Sequence, residues 1–246
     1  MRRARKARTT ARWLLQLGLP LLAGLGLFTG VLYSGRFFGD RLRDQGALGV
    51  AFADVECDPP EGLSRQEFLA EAQYLAELPD RLEVLQGETP SRIAKALALH
   101  PWVAKVKQVK LTSPGRVQAE LVYREPTLAV EAPPRAVDGA GVLLPRGART
   151  KGLPLLATKV SAPAARPGQP WGDVRVQAAS QVVGLLRPRL DALGLAGCRV
   201  AVSEGEVTLD AAKCRLVWGR PPGQEKAGEA TAAAKLSRLP EPGGRR

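Results

Sequence analysis

Few side chains in this 246-residue chain could do covalent or metal chemistry, and they stand apart. There is one histidine, His100, and three cysteines, Cys57, Cys198 and Cys214. A zinc centre needs about four nitrogen or sulfur ligands drawn together. This inventory excludes a His-rich site and argues against a dinuclear one. A catalytic histidine needs an orienting carboxylate and a nearby nucleophile, and no Gly-x-Ser-x-Gly element accompanies His100. His100 stands instead where a helical pattern runs into Pro101-Trp102, a place where an imidazolium complements the helix dipole. Three cysteines cannot build a disulfide scaffold. Cys198 and Cys214 flank one hairpin pattern and could pair in an oxidising compartment, leaving Cys57 free; buried thiols acting as small hydrophobes are the plainer alternative. No P-loop is present, and no Gly-x-Gly-x-x-Gly follows a strand. The residues therefore predict no metal, no cofactor and no small-molecule substrate, and binding in place of catalysis.

Charge is the second feature able to do work. Lys and Arg number 36 against 24 Asp and Glu, a formal net charge of +12. Such an excess suggests nucleic acid or a membrane surface. Six of the twelve units come from Arg2, Arg3, Arg5, Lys6, Arg8 and Arg12, with no acid among the first twelve residues. Trp13 to Gly35 follows, 23 residues without a charge. As a helix that run would span ~35 Å, against about 30 Å of bilayer hydrocarbon. Trp13 and Tyr33 stand near its ends, where amphipathic aromatics favour the interface. The expectation is a basic cytoplasmic tail at 1–12, a transmembrane helix at 13–35 and a juxtamembrane stalk at 36–49. Lys/Arg asymmetry puts the N-terminus inside and the bulk of the chain outside the cytoplasm. A cleaved signal peptide is the rival, but its apolar core should be shorter and Tyr33 is badly placed for a cleavage site. The basicity then reports topology, with the lipid bilayer as partner and no nucleic acid.

Positioning elements emerge from about Val50. Ala51 to Cys57 reads as a first strand, and Asp58-Pro59-Pro60-Glu61-Gly62 as a turn. Ser64-Arg65-Gln66-Glu67 carries the capping-box pattern that opens a helix, with Phe68, Ala72, Leu75 and Ala76 at helical spacing. A short strand at Leu82–Leu85 precedes Thr89-Pro90, an N-cap followed by proline at the first helical position. Ile93, Ala94, Leu97 and Ala98 line the second helix. Strands follow around Val103–Leu111 and Val117–Arg124, the second alternating cleanly between two faces. The order predicts a compact α+β unit over residues 50–124.

The run Pro101-Trp102-Val103, Pro114, Glu125-Pro126, Val137-Asp138 and Gly141 resembles, in that order, the FtsQ/DivIB family of bacterial cell-division proteins. The resemblance implies a β-α-α-β-β POTRA-like domain (a polypeptide-transport-associated module) after the membrane span. It further implies a second, mostly β domain at 125–219 and a C-terminal helix and tail at 220–246. Thr127–Val130, Ala136–Leu144, Val200–Val202, Val207–Leu209 and Arg215–Trp218 are strand candidates there. Arg146–Gln169 reads as a loop, although Leu153-Pro154-Leu155-Leu156 resembles the family's short apolar strap. Trp171 to Leu185 reads as a long helix and Glu225–Leu239 as a last one. Trp218-Gly219 stands where the family has a Leu-Gly-like pair. The family's final strand, which carries partner contacts, has no counterpart in the Pro240–Arg246 tail.

The resemblance implies a non-enzymatic, single-pass protein of the inner (cytoplasmic) membrane. It would link other membrane division proteins, namely small coiled-coil bitopic proteins and a septal peptidoglycan synthase, to wall synthesis. The candidate partner-binding residues are Trp102, Lys105, Lys107, Val109 and Lys110 on and before one strand, Arg124 and Glu125 at the domain junction, and Trp218 and Gly219. An edge strand can accept a strand from another chain, whereas a solvated basic face is the plainer reading of the lysines. A POTRA-containing component that handles exported polypeptides is the alternative, although no transmembrane β-barrel pattern accompanies it.

Overall fold

The computed structural model describes Tyr33 and residues 49–83, 88–113, 116–130, 135–163 and 165–240. Ten strands and four α-helices are found among them. The first seventy or so of these residues run strand, helix, strand, helix, strand, strand. Strand β1 (Gly49–Ala51) pairs antiparallel with β2 (Arg81–Glu83). Helix α1 (Arg65–Leu75) starts where expected: Ser64 Oγ accepts from the Glu67 N–H at 3.2 Å and Glu67 Oε2 accepts from the Ser64 N–H at 3.0 Å. Two of the orphan donors at the helix start are thereby satisfied. Helix α2 (Thr89–Leu99) has Pro90 in its first turn. Its N-cap is Glu88, not Thr89, which is a buried helical residue. A β-hairpin of β3 (Val103–Ser113) and β4 (Arg116–Tyr123) closes the unit.

The first-strand expectation is only partly met. After β1 the chain makes a 3-10 turn at Phe52–Asp54, and Glu56 then bridges Gln118 in parallel on the outer edge of β4. The turn buries Phe52 beside Val50, Val55, Phe68, Ile93 and Leu97 in one core. An alternating strand would have pointed neighbouring apolar residues to opposite faces.

The second unit is a six-stranded sheet in the order β10-β9-β8-β7-β5-β6. Its strands are β5 (Leu128–Val130), β6 (Arg135–Val137), β7 (Leu155–Leu156), β8 (Arg199–Ser203), β9 (Glu206–Asp210) and β10 (Arg215–Gly219). The Leu155-Leu156 pair, inside a stretch whose composition reads as loop, runs parallel between β5 and β8. Two residues are too few to show alternation, and only the neighbours' backbone groups make them a strand. Helix α3 (Val174–Leu186) contacts β5, β8 and β9. It buries Val176, Ala179, Val182, Val183 and Leu186 in a core with Leu128, Leu156, Val200 and Leu209. Asp173 caps it, accepting from the Arg175 N–H at 2.9 Å. The last helix, α4, covers only Ala232–Ser237, shorter than the expected Glu225–Leu239.

The architecture is α+β, but the expected opening transmembrane helix must be corrected. No helix among the described residues is long and apolar enough to cross a membrane. The longest, α3, has 13 residues, about 20 Å of rise, well short of a bilayer's hydrocarbon thickness. The charge-free run Trp13–Gly35, apart from Tyr33, lies outside the described residues.

Candidate partner-binding surfaces

The strand after α2 is positioned by the helix end. Pro101 cannot continue a helix, and His100 takes an extended conformation as C-cap. The His100 carbonyl accepts from the Val103 N–H at 2.9 Å, turning the chain into β3. Strand β3 has 11 residues and pairs on one side only, with β4. Among the described residues no strand adjoins its other side. Lys105, Lys107 and Lys110 are exposed along it, while Val109 turns half-buried into the first core. Lys107 Nζ lies 2.7 Å from Glu120 Oε1 on β4, and this contact holds the Glu120 carboxyl below the usual range. Two cations, Lys105 and Lys110, have no ion pair among the described residues. Long exposed edges are normally covered or blunted; among the described residues no strand covers this one.

Trp102 belongs elsewhere. It is half-buried and packs on a small cluster of Ala136, Leu144 and Ala148, all from the second unit. Its carbonyl accepts from the Arg124 N–H at 2.7 Å. The junction continues through Arg124, whose Nη1 lies 2.8 Å from Asp138 Oδ2 in a pair that is largely buried. Asp138 Oδ1 accepts from the Ala140 and Val142 N–H groups, both at 2.9 Å, and so shapes the turn that presents it. Glu125 pairs with Arg187. A groove of about 640 Å³ lies here, lined by Val122, Arg124, Glu125, Asp138, Leu185 and Arg187. Gly139 and Gly184 approach so closely at its floor that a Cβ on Gly184 would stand 3.2 Å from the Gly139 Cα.

Trp218 and Gly219 form no open surface. Trp218 is buried, with Lys235 Nζ 5.2 Å from its ring centroid. Gly219 has φ +84°, and a Cβ there would run into Glu229 Oε1. The Glu229 carboxylate accepts from the Arg220 N–H at 2.9 Å, the Lys226 N–H at 3.0 Å and Lys235 Nζ at 2.6 Å. Those hydrogen bonds, that of Lys235 foremost, bring its pKa down to about 2. The segment from Arg220 to Leu239 is thus clasped back onto the second core, where Ala232, Leu236 and Leu239 pack. Sequence reasoning missed this clasp, because Glu229 and Lys235 have no recognisable spacing relative to Gly219. The nine candidate residues therefore fall in three separate places: the β3 edge, the junction and the base of the clasp.

Cys57 lines a cleft with Lys110 of β3, and Cys198 is buried in the second core. Cys57, Cys198 and Cys214 are free, so the considered Cys198–Cys214 bond is not formed. Burial pushes the Cys57 and Cys198 thiols up to about 11, and Cys214 Sγ donates to the Leu193 carbonyl at 3.2 Å. Thiols held protonated are poor nucleophiles. No group of His, Cys, Asp and Glu suited to a metal ion is found among the described residues. No family model matches this chain, and no curated protein matches it.

Proposed function

We propose that this chain is a non-enzymatic scaffold of bacterial cell division, of the FtsQ/DivIB kind, which docks partner proteins by strand addition along β3. The observation that carries the reading is the 11-residue strand that, among the described residues, pairs on one side only, with Lys105, Lys107 and Lys110 on it. Main-chain hydrogen bonds along such an edge supply affinity, and side chains on alternate positions supply selectivity. The partners are extended segments of other membrane division proteins, among them small coiled-coil proteins and a septal peptidoglycan synthase. The reading places the chain at the cytoplasmic membrane, which rests on the basic residues 2–12 and the uncharged residues 13–35 of the sequence.

A fluorescent fusion of the full chain tests the function: enrichment at midcell in dividing cells supports it, and an even distribution along the envelope overturns it. Lys105→Glu/Lys107→Glu/Lys110→Glu tests the docking edge, with loss of co-purifying division proteins expected. Capture of unfolded polypeptides without selectivity would favour the transport alternative.

A further inference from the structure

The connection between the β6 hairpin and α3 has a charge pattern that neither the fold nor the docking strand uses. From Gly139 to Gly172, 34 residues, there is no acidic residue, and there are five bases: Arg146, Arg149, Lys151, Lys159 and Arg166. Three of them stand on one short loop after Leu144. That loop is not loose. The Ala148 N–H donates to the Pro145 carbonyl at 3.0 Å and the Leu153 N–H to the Thr150 carbonyl at 3.3 Å, two successive turns. Ala148 is buried under the loop beside Leu144 and Ala136, and Leu153 and Trp102 pack on the same cluster. Arg146, Arg149 and Lys151 are therefore exposed on a backbone already fixed in place.

A fourth cation lies near Arg146. Arg135, on β6, is held by its Nη2 donating to the Leu144 carbonyl at 3.0 Å. Burial chiefly, and then the charge of Arg146, lowers its pKa, so the two guanidinium groups are near enough to repel. None of the four has an ion pair with any described residue. Like charges held together by the fold, with no counter-charge paired to them among the described residues, attract an anion, and a preorganised platform loses little entropy on binding one.

We infer that the loop bearing Arg146, Arg149 and Lys151, with Arg135 beneath it, is a docking surface for an acidic polypeptide segment of a partner protein. The choice among anionic partners comes from what the loop lacks. Stable attachment to a lipid surface combines basic side chains with apolar ones that enter the headgroup boundary. Single-stranded nucleic acid is held by stacking on aromatics. The exposed large apolar side chains of the described residues are Tyr33, Tyr74, Leu75, Leu99, Leu111, Val122, Val174, Leu185 and Val217, none of them on this loop. What remains is charge, and guanidinium forks match carboxylates in two-pronged fashion. The surface is distinct from the β3 edge and does not depend on the reading proposed for that strand.

The test uses the full chain and a fluorescent poly-L-glutamate 20-mer as probe. Saturable binding that weakens steeply with salt is expected. Arg146→Gln/Arg149→Gln/Lys151→Gln should weaken it about tenfold. A control of equal charge change, Arg199→Gln/Lys213→Gln/Arg238→Gln, should weaken it less than twofold. All six side chains are exposed, and unchanged thermal unfolding confirms that both variants fold. Equal weakening by the two variants would show attraction to overall charge alone and overturn the proposal. So would loop-dependent binding to vesicles containing phosphatidylglycerol that exceeds binding to the peptide.

Discussion

His100 offers a sharp test, because it is the only histidine in the chain. It is buried at the end of α2, its ring edge-on to Phe68 with centroids 4.5 Å apart. The Trp102 N–H donates to Nδ1 at 3.3 Å, so Nδ1 is an acceptor and carries no proton. Nε2 then carries it and donates to Glu71 Oε2 at 3.1 Å. Both nitrogens are satisfied in this neutral tautomer, and protonating Nδ1 would break the Trp102 contact. Burial lowers the pKa from its ordinary value, and Glu71 offsets that only in part. The folded chain therefore takes up a proton at lower pH than the unfolded chain, whose histidine titrates near 6.5. Below that value the unfolded state binds more protons, so stability falls as pH drops from about 6.5 toward the folded pKa.

The slope can reach about 1.4 kcal/mol per pH unit. Between pH 7.0 and 5.5 the loss is at most about 1.3 kcal/mol, the bound set by the unfolded value alone. Urea midpoints read by tryptophan fluorescence across that window would show it, since carboxylates titrate lower and thiols higher. His100→Gln should flatten the dependence. Stability that rises on acidification would mean a charged imidazolium complementing the helix dipole or pairing with Glu71, and the neutral-tautomer reasoning would be refuted. An unaltered slope in the glutamine variant would refute it equally.

Three further outcomes follow from local geometry. Ser180→Ala should stabilise the protein by about 1 kcal/mol or more, because the Ser180 hydroxyl is buried in α3 without a partner among the described residues and alanine is the better helix former; a lower melting temperature would show that the hydroxyl has a partner. Gly219→Ala should cost at least ~1–2 kcal/mol from the left-handed backbone alone, roughly 2–8 °C in Tm, and should make the segment after Arg220 sensitive to limited proteolysis as Glu229 is displaced. Ser64→Ala should cost about 1 kcal/mol through loss of the α1 cap, with chemical denaturation as the measure.

The clasp and the short strand show where sequence reasoning stops. The capping box at Ser64 and Glu67 and the alternation of β4 are local signals, and the structure contains them as read; Pro90 also lies in the first turn of α2, one position later than read. Their physics lies within four residues of chain, so no fold knowledge is needed. Leu155-Leu156 is a strand only because β5 and β8 present backbone partners on both sides. Phe52 leaves a strand-like pattern because a 3-10 turn buries it better. Glu229 reaches Gly219 across ten residues of chain, an approach set by the packing of Leu236 and Leu239 on the second core.

The same division holds for function. Composition alone establishes the scarcity of histidine and cysteine and the concentration of charge in the first twelve residues. The sequence by itself also determined most helix and strand positions, since periodicity and capping are written in neighbouring residues. Tertiary structure alone decided which candidates are surface. It left the β3 edge open, drew Trp102 into a shared cluster, closed Trp218 beneath the clasp and gathered Arg135 with Arg146. Burial and charge proximity depend on residues far apart in the chain, and those distances exist only after folding.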